Sequence, residues 1–157
     1  MSFKKQTWEK VLSPQEKILF EFGIGKYYRI FLMFCGIFLG PLLLLFFDTG
    51  IGILVGLSFI LYSLYLNIAY LYAFTDKRVL VHQGWLITHL ISIDYGKITD
   101  VRVREHFFQK FLFSTGSLTM NTAGTKWKEV TLLDIESPYE IKKKLDEIRE
   151  TTRIKHE

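Results

Sequence analysis

The chain is short of the residues that catalytic and cofactor sites are usually built from. It has one cysteine, Cys35, and four histidines, His82, His89, His106 and His156, at isolated positions. A lone thiol inside an apolar run excludes a disulfide framework, and no histidine has metal-site spacing to another ligand. Phosphate loops are missing as well, since Gly23-Ile24-Gly25 and Ala123-Gly124 lack the accompanying lysine and read as turns. Ser114-Thr115-Gly116-Ser117 offers hydroxyls without a nucleophile elbow or a paired base. Asp94 and Asp100 flank a turn and read as turn caps. These absences argue against an enzyme and imply neither cofactor nor metal.

Charge is missing over a long stretch. From Ile30 to Phe74 the only acidic or basic side chain is Asp48. Residues 30–47 are apolar, broken by Gly36, Gly40 and Pro41, and the run resumes from Ile51 to Phe74. A bilayer core of about 30 Å takes about 20 residues at about 1.5 Å each. The two runs therefore predict a transmembrane α-helical hairpin with spans at 30–47 and 51–73, and Pro41 should bend the first span near its middle. Too little other mass remains to wrap such a hairpin inside a soluble fold. Lys4, Lys5, Lys10, Lys17, Lys26 and Arg29 precede it, Lys77 and Arg78 follow it, and the turn carries no basic residue. The positive-inside rule places both termini in the cytoplasm of a multi-pass cell-membrane protein. Tyr27, Tyr28, Tyr70 and Tyr72 fall where aromatic residues favour the membrane interface.

The net charge of +4 is unevenly spread. Residues 1–29 hold six basic and three acidic side chains, and residues 75–157 hold fourteen and twelve. The excess thus lies beside the membrane, which suits anionic lipids and not nucleic acid. The expected division is a cytoplasmic N-terminal segment at 1–29, the hairpin at 30–74, a folded domain at 75–150 and a flexible tail at 151–157.

Residues 1–12 look polar and flexible. Ser13-Pro14-Gln15-Glu16 has the form of a capping box, so an amphipathic helix through Phe22 is one reading and an extended lead-in is the other. Gly36 with Gly40, and Gly52 with Gly56, are small-xxx-small pairs. They serve either packing of the two spans on each other or oligomerisation. Beyond Phe74 the pattern shifts to short strands with turns: Val79–His82, Trp85–Asp94, Thr99–Val103 in alternation with Asp100, Arg102 and Arg104, then Ser117–Thr122 and Trp127–Leu133. Ser137-Pro138-Tyr139-Glu140 starts a final helix with Ile141, Leu145 and Ile148 on one face.

Three segments in this order carry a resemblance: Phe74-Thr75-Asp76-Lys77-Arg78-Val79-Leu80, then Ile93 to Val101, then Gly116-Ser117-Leu118-Thr119-Met120-Asn121-Thr122-Ala123-Gly124. Over roughly residues 70–148 the chain resembles the bacterial pleckstrin-homology-like (PH-like) domain of small membrane proteins, in which two transmembrane helices commonly precede the domain. The resemblance implies a mostly-β, α+β domain, a bent antiparallel sheet or partial barrel closed at one end by the C-terminal helix. Ser114 departs from it, because the family often has glycine there. Fold alone does not deliver function.

Two clusters could bind a partner. Lys77, Arg78, Lys97, Arg102, Arg104 and Lys110 form an anionic-headgroup site if they converge, and are ordinary solvated charge otherwise. Phe107, Phe108, Phe111 and Leu112 recur at near-helical spacing, either plugging the barrel or facing membrane or partner. Two functions follow. One is a non-catalytic, membrane-proximal scaffold for a protein partner or for homo-oligomers. The alternative is recognition of anionic membrane lipids by the basic cluster.

Overall fold

The computed structural model describes residues 7–44, 49–123 and 129–154, without the side chains of residues 44, 49, 108, 153 and 154. The expected turns at Asp48 and at Gly124, the start of the return strand at Trp127 and the end of the tail lie outside the described residues.

The chain opens with strand β1 (Ile18–Gly23), followed by helices α1 (Lys26–Leu44) and α2 (Thr49–Ala69) and then β2 (Tyr70–Thr75). β1 and β2 are antiparallel neighbours, with Phe22 opposite Tyr72 and Gly23 opposite Leu71. The hairpin is therefore inserted between two paired strands, and two expectations need correction. The domain does not begin at residue 75, because its first strand precedes the hairpin. The second span does not run to 73, because the helix gives way to a strand at Tyr70.

The cause is burial on both faces of β2. Tyr72 and Phe74 enter the main core, whereas Leu71 and Ala73 lie under Trp8 together with Leu80. A strand covered on both sides reads as an unbroken apolar run, like the end of a membrane helix. Tyr72 is accordingly a core residue, fully buried, and not an interface anchor. Trp8 is 1% exposed, so residues 7–12 form a lid over the sheet where a loose lead was expected.

The sheet continues through β3 (Arg78–Gln83) and β4 (His89–Asp94) in the order β1-β2-β3-β4. A 3₁₀ turn (Tyr95–Lys97) leads to β5 (Ile98–Arg104), helix α3 (Phe107–Phe113), β6 (Thr115–Thr122) and β7 (Glu129–Glu136), which make a second antiparallel sheet, β5-β6-β7. The two sheets enclose one core, in which Val79, Val81 and Ile93 of the first meet Leu118, Met120 and Leu132 of the second. They are not closed into a barrel, and among the described residues a single bridge, Ile24 to Ile135, joins their near edges. Helix α4 (Pro138–Ile154) covers one opening with Ile141 and Leu145.

The expected capping box at Ser13 is half made, since Glu16 accepts from the Ser13 N–H at 3.0 Å, yet no helix follows. Gln15 takes φ 74°, in the left-handed region, and the chain turns into β1.

Both helices are long and apolar enough to cross a membrane, and only 17% and 22% of the residues of these stretches are buried. They cross at their glycines. A Cβ on Gly36 would lie 2.7 Å from the Gly56 carbonyl oxygen, and one on Gly40 would lie 3.2 Å from that of Gly52. The Gly36, Gly40, Gly52 and Gly56 set is thus spent inside the hairpin. Nearer the sheets, the Ser63 hydroxyl donates to the Arg29 carbonyl at 2.9 Å. Pro41 sits in the last described turn of α1, further along than the expected bend.

Candidate functional site

The six basic residues do not converge. Arg78 is committed to the fold: its Nε and Nη2 donate to the two carboxylate oxygens of Glu16 at 2.9 and 2.8 Å. The Glu16 side chain is fully buried. Thr75 completes this knot, its hydroxyl donating to Glu16 at 2.8 Å. The Arg78 hydrogen bonds hold the Glu16 carboxyl down to about 2, against the opposing push of burial.

Lys97, the last residue of the 3₁₀ turn, pairs with Asp94 at 3.3 Å, and Lys110 of α3 lies 3.7 Å from Glu105, which precedes that helix. Lys77 follows β2 at the end of the first sheet remote from the hairpin. Of the six, Arg102 and Arg104 share one feature, a groove of about 500 Å³. Both lie on the outer face of β5, and Arg102 is held by Asp100 at 2.8 Å. Strand alternation turns Val101 and Val103 toward the core and these two arginines outward. Ser117, Thr119 and Thr131 line the groove between them, with His106 at the end next to α3 and Glu129 as the acidic member. Guanidinium and hydroxyl donors on an open face suit a carboxylate or phosphate oxygen.

A crevice missed by sequence reasoning lies where the hairpin leaves the sheets. Its volume is about 330 Å³, and Lys26, Arg29 and Asn67 from the hairpin meet Lys144 of α4 there. Glu136 and Glu140 share the space, which leaves it nearly balanced in charge. Nε of Arg29 is buried without a hydrogen-bond partner among the described residues. Lys26 and Arg29 read in the sequence as topology signals, and only the insertion of the hairpin brings Lys144 beside them. A larger, shallow cavity of about 830 Å³ runs from Tyr95 along the charged face of α4. Its charged side chains are mixed in sign, as on a solvated helix face.

The second cluster forms α3 as its spacing predicts, but it does not plug a barrel. Phe107, Phe111 and Leu112 are exposed, with the rings of Phe107 and Phe111 stacked 6.3 Å apart. The side chain of Phe108 lies outside the described residues. Phe113 is the buried-side anchor, its ring 5.0 Å from Phe31 and 5.5 Å from Tyr28 at the root of α1. Ser114 ends the helix at φ 50° and ψ 35°. That left-handed cap is the conformation glycine adopts most readily at a helix C-terminus.

The three histidines among the described residues are scattered. His82 lies under Trp8, with ring centroids 6.4 Å apart, and burial pushes its pKa down, which keeps it neutral. His89 begins β4 on the surface and His106 precedes α3. The hydroxyl of Tyr95 donates to the Thr75 carbonyl at 2.7 Å, and that of Tyr72 accepts from the Leu133 N–H at 3.1 Å. Burial pushes both phenols up, so both act as fixed hydrogen-bonding groups.

The profile of the Bacterial PH domain family matches residues 22–149. A crystal structure of a DUF1696 family protein with a pleckstrin-homology domain from Shewanella loihica PV-4 is similar at 11% identity and a TM-score of 0.50, covering 95% of this chain and 98% of that one. A pleckstrin homology domain from Shewanella amazonensis SB2B aligns over 92% of this chain and 86% of its own, at 14% identity and a TM-score of 0.48. At such identities the likeness to the first speaks to fold alone. No curated protein matches the chain.

Proposed function

Because the chain belongs to the Bacterial PH domain family, whose profile covers most of it, we propose that it is a non-catalytic membrane protein whose PH-like domain serves as a membrane-proximal scaffold. In this reading α1 and α2 span the cell membrane, and both termini and the sheets lie on the cytoplasmic side. The observation that carries it is the insertion of the hairpin between β1 and β2. Ala69, one root of the hairpin, runs directly into β2, and only Ile24 and Gly25 separate β1 from the other root, Lys26. The Gly25 N–H also donates to the Asp134 carbonyl at 2.7 Å, tying the entry of α1 to the second sheet. A domain fixed in this way cannot be recruited and released as a free module. It presents the outer face of β5-β6-β7 at a set height above the bilayer, which suits a standing platform for a protein partner or a second copy.

A second reading has one observation in its favour, the groove of Arg102 and Arg104 with its hydroxyls. There the ligand is an anionic lipid headgroup. It rests on two arginines, because Arg78 and Lys97 are occupied elsewhere.

The test uses the full chain, purified from its native membrane into nanodiscs, with size and cross-linking as the readouts. A defined oligomer or a co-purifying protein that survives Arg102→Ser with Arg104→Ser supports the scaffold. Tightly held anionic lipid that this double variant releases, in a salt-sensitive way, supports the second reading. A bare monomer holding neither protein nor lipid contradicts both.

A further inference from the structure

The sheets group large exposed apolar side chains at the hairpin end, whereas at the other end Leu19, 55% exposed on β1, stands singly. In the β3–β4 turn, Trp85, Leu86 and Ile87 are 54%, 86% and 76% exposed. On α3, Phe107, Phe111 and Leu112 are 76%, 79% and 55% exposed. Side chains of this size left in water on a soluble domain mark an interaction surface.

Their positions are fixed relative to the hairpin. Gln83 pairs with Tyr70, and the Gly84 N–H donates to the carbonyl of Ala69, the last residue of α2, at 2.8 Å. The β3–β4 turn therefore projects beside the root of α2. Helix α3 lies beside the root of α1, where Phe113 meets Tyr28 and Phe31 and Gln109 donates to the Asp134 carboxylate at 2.7 Å. Thus each hairpin root has its own apolar projection. The opposite end of the strands carries Asp76, Lys77, Asp94 and Lys97 instead.

We infer that the Trp85–Ile87 turn and the exposed face of α3 insert into the headgroup–acyl boundary of the same bilayer that the hairpin spans. This rests on the membrane reading above and adds an orientation to it: the domain lies with its hairpin end pressed into the membrane surface. The occupant follows from continuity, since the apolar surface of α1 passes through Phe31 and Phe113 directly into α3. Tryptophan in one projection and Lys110 in the other suit that layer, where an aromatic ring and a snorkelling amine each find both phases.

The experiment places single nitroxide labels on the full chain, in a Cys35→Ser background, reconstituted into phosphatidylcholine–phosphatidylglycerol vesicles. Labels at Leu86→Cys and Phe111→Cys report the projections. Leu54→Cys reports the hairpin, and Gly96→Cys reports the far end, where an added Cβ meets open space. Collision with oxygen against collision with an aqueous nickel chelate gives the depth of each. The expected result is at least a tenfold lower nickel-to-oxygen collision ratio at positions 86 and 111 than at 96, with position 54 deeper still. Immersion at 54 with water-like values at both 86 and 111 overturns the proposal and spares the membrane reading. Water-like values at 54 as well overturn both. All these side chains are on the surface, so the labels leave the core intact, and an unchanged circular dichroism spectrum confirms it.

Discussion

The two ends of the sheet pair are held together by opposite chemistry. At the far end the fold is fastened by a buried charge, with Arg78 closing a bidentate clasp on Glu16 and Thr75 supporting it. At the hairpin end it is fastened by aromatic packing of Phe113 on Tyr28 and Phe31, and by close contact of glycines between the helices. The polar clasp replaces the hydration that Glu16 loses on burial with hydrogen bonds from Arg78 and Thr75. The aromatic and glycine contacts need no water at all, and suit an element that stands in lipid. The comparison teaches that the clustered exposed apolar residues, in the β3–β4 turn and on α3, lie at the end fastened by apolar packing and not at the end fastened by charge.

The clasp gives the largest expected effects. Removing one partner of a buried ion pair strands the other, at about 3–5 kcal/mol. Glu16→Ala or Arg78→Ala should therefore lower the unfolding free energy by about 3 kcal/mol or more, read from denaturant midpoints in detergent micelles. Arg102→Ser removes a pair with Asp100 that is largely exposed, 68% and 49% at the two side chains. That midpoint should stay where it is. Equal losses at both sites would break the contrast between buried and exposed pairs.

The same clasp sets an acid limit. The folded carboxyl of Glu16 titrates at about 2 and its ordinary value is 4.5. A depressed carboxyl stabilises the fold fully above its ordinary value, and that stability drains away as pH falls through the folded value. It should amount to roughly 3 kcal/mol, lost between about pH 4.5 and 2. Acid titrations of stability should slope over this window in the native chain and flatten in Glu16→Gln.

At the other end, Gly36→Leu puts a side chain where a Cβ alone already comes within 2.7 Å of the Gly56 carbonyl. The expected cost is about 1–3 kcal/mol from overpacking, with the helices forced apart. Interhelical cross-linking between engineered cysteines should fall while the sheet signal in circular dichroism persists. Loss of the sheet signal would show that the two ends are less independent than the geometry says. The smallest effect is a gain. Ser114→Gly relieves a left-handed cap at φ 50° and should add up to about 1 kcal/mol to the unfolding free energy.

Much of this fold is legible in the sequence, and the illegible parts share a cause. The apolar runs give both helices, Val79–His82 falls inside β3, and the spacing of Phe107, Phe111 and Leu112 gives α3. The capping signal at Ser137-Pro138 marks the start of α4. β2 is hidden because Trp8, far away in sequence, covers its second face and removes the alternation a strand normally shows. β1 left a signal, since Ile18, Phe20 and Phe22 alternate with the exposed Leu19 and Glu21, but the capping form of residues 13–16 competes with it. Glu16 and Arg78 are 62 positions apart, and charge counting cannot tell a clasp from a surface cluster. The basic site dissolved for that reason, leaving Arg102 and Arg104, the two that strand alternation alone puts on one face.

The central claim is that the hairpin crosses the membrane with both sheets on one side of it. Gly50 starts the far end of α2 and Gly96 lies in the 3₁₀ turn, and a Cβ at either meets nothing within 4 Å. Single cysteines at these positions, in the Cys35→Ser background, can be treated with a membrane-impermeant maleimide in intact cells and in inverted vesicles. The account predicts that position 50 reacts in intact cells and position 96 in inverted vesicles. Reaction of both positions from the same side would contradict it.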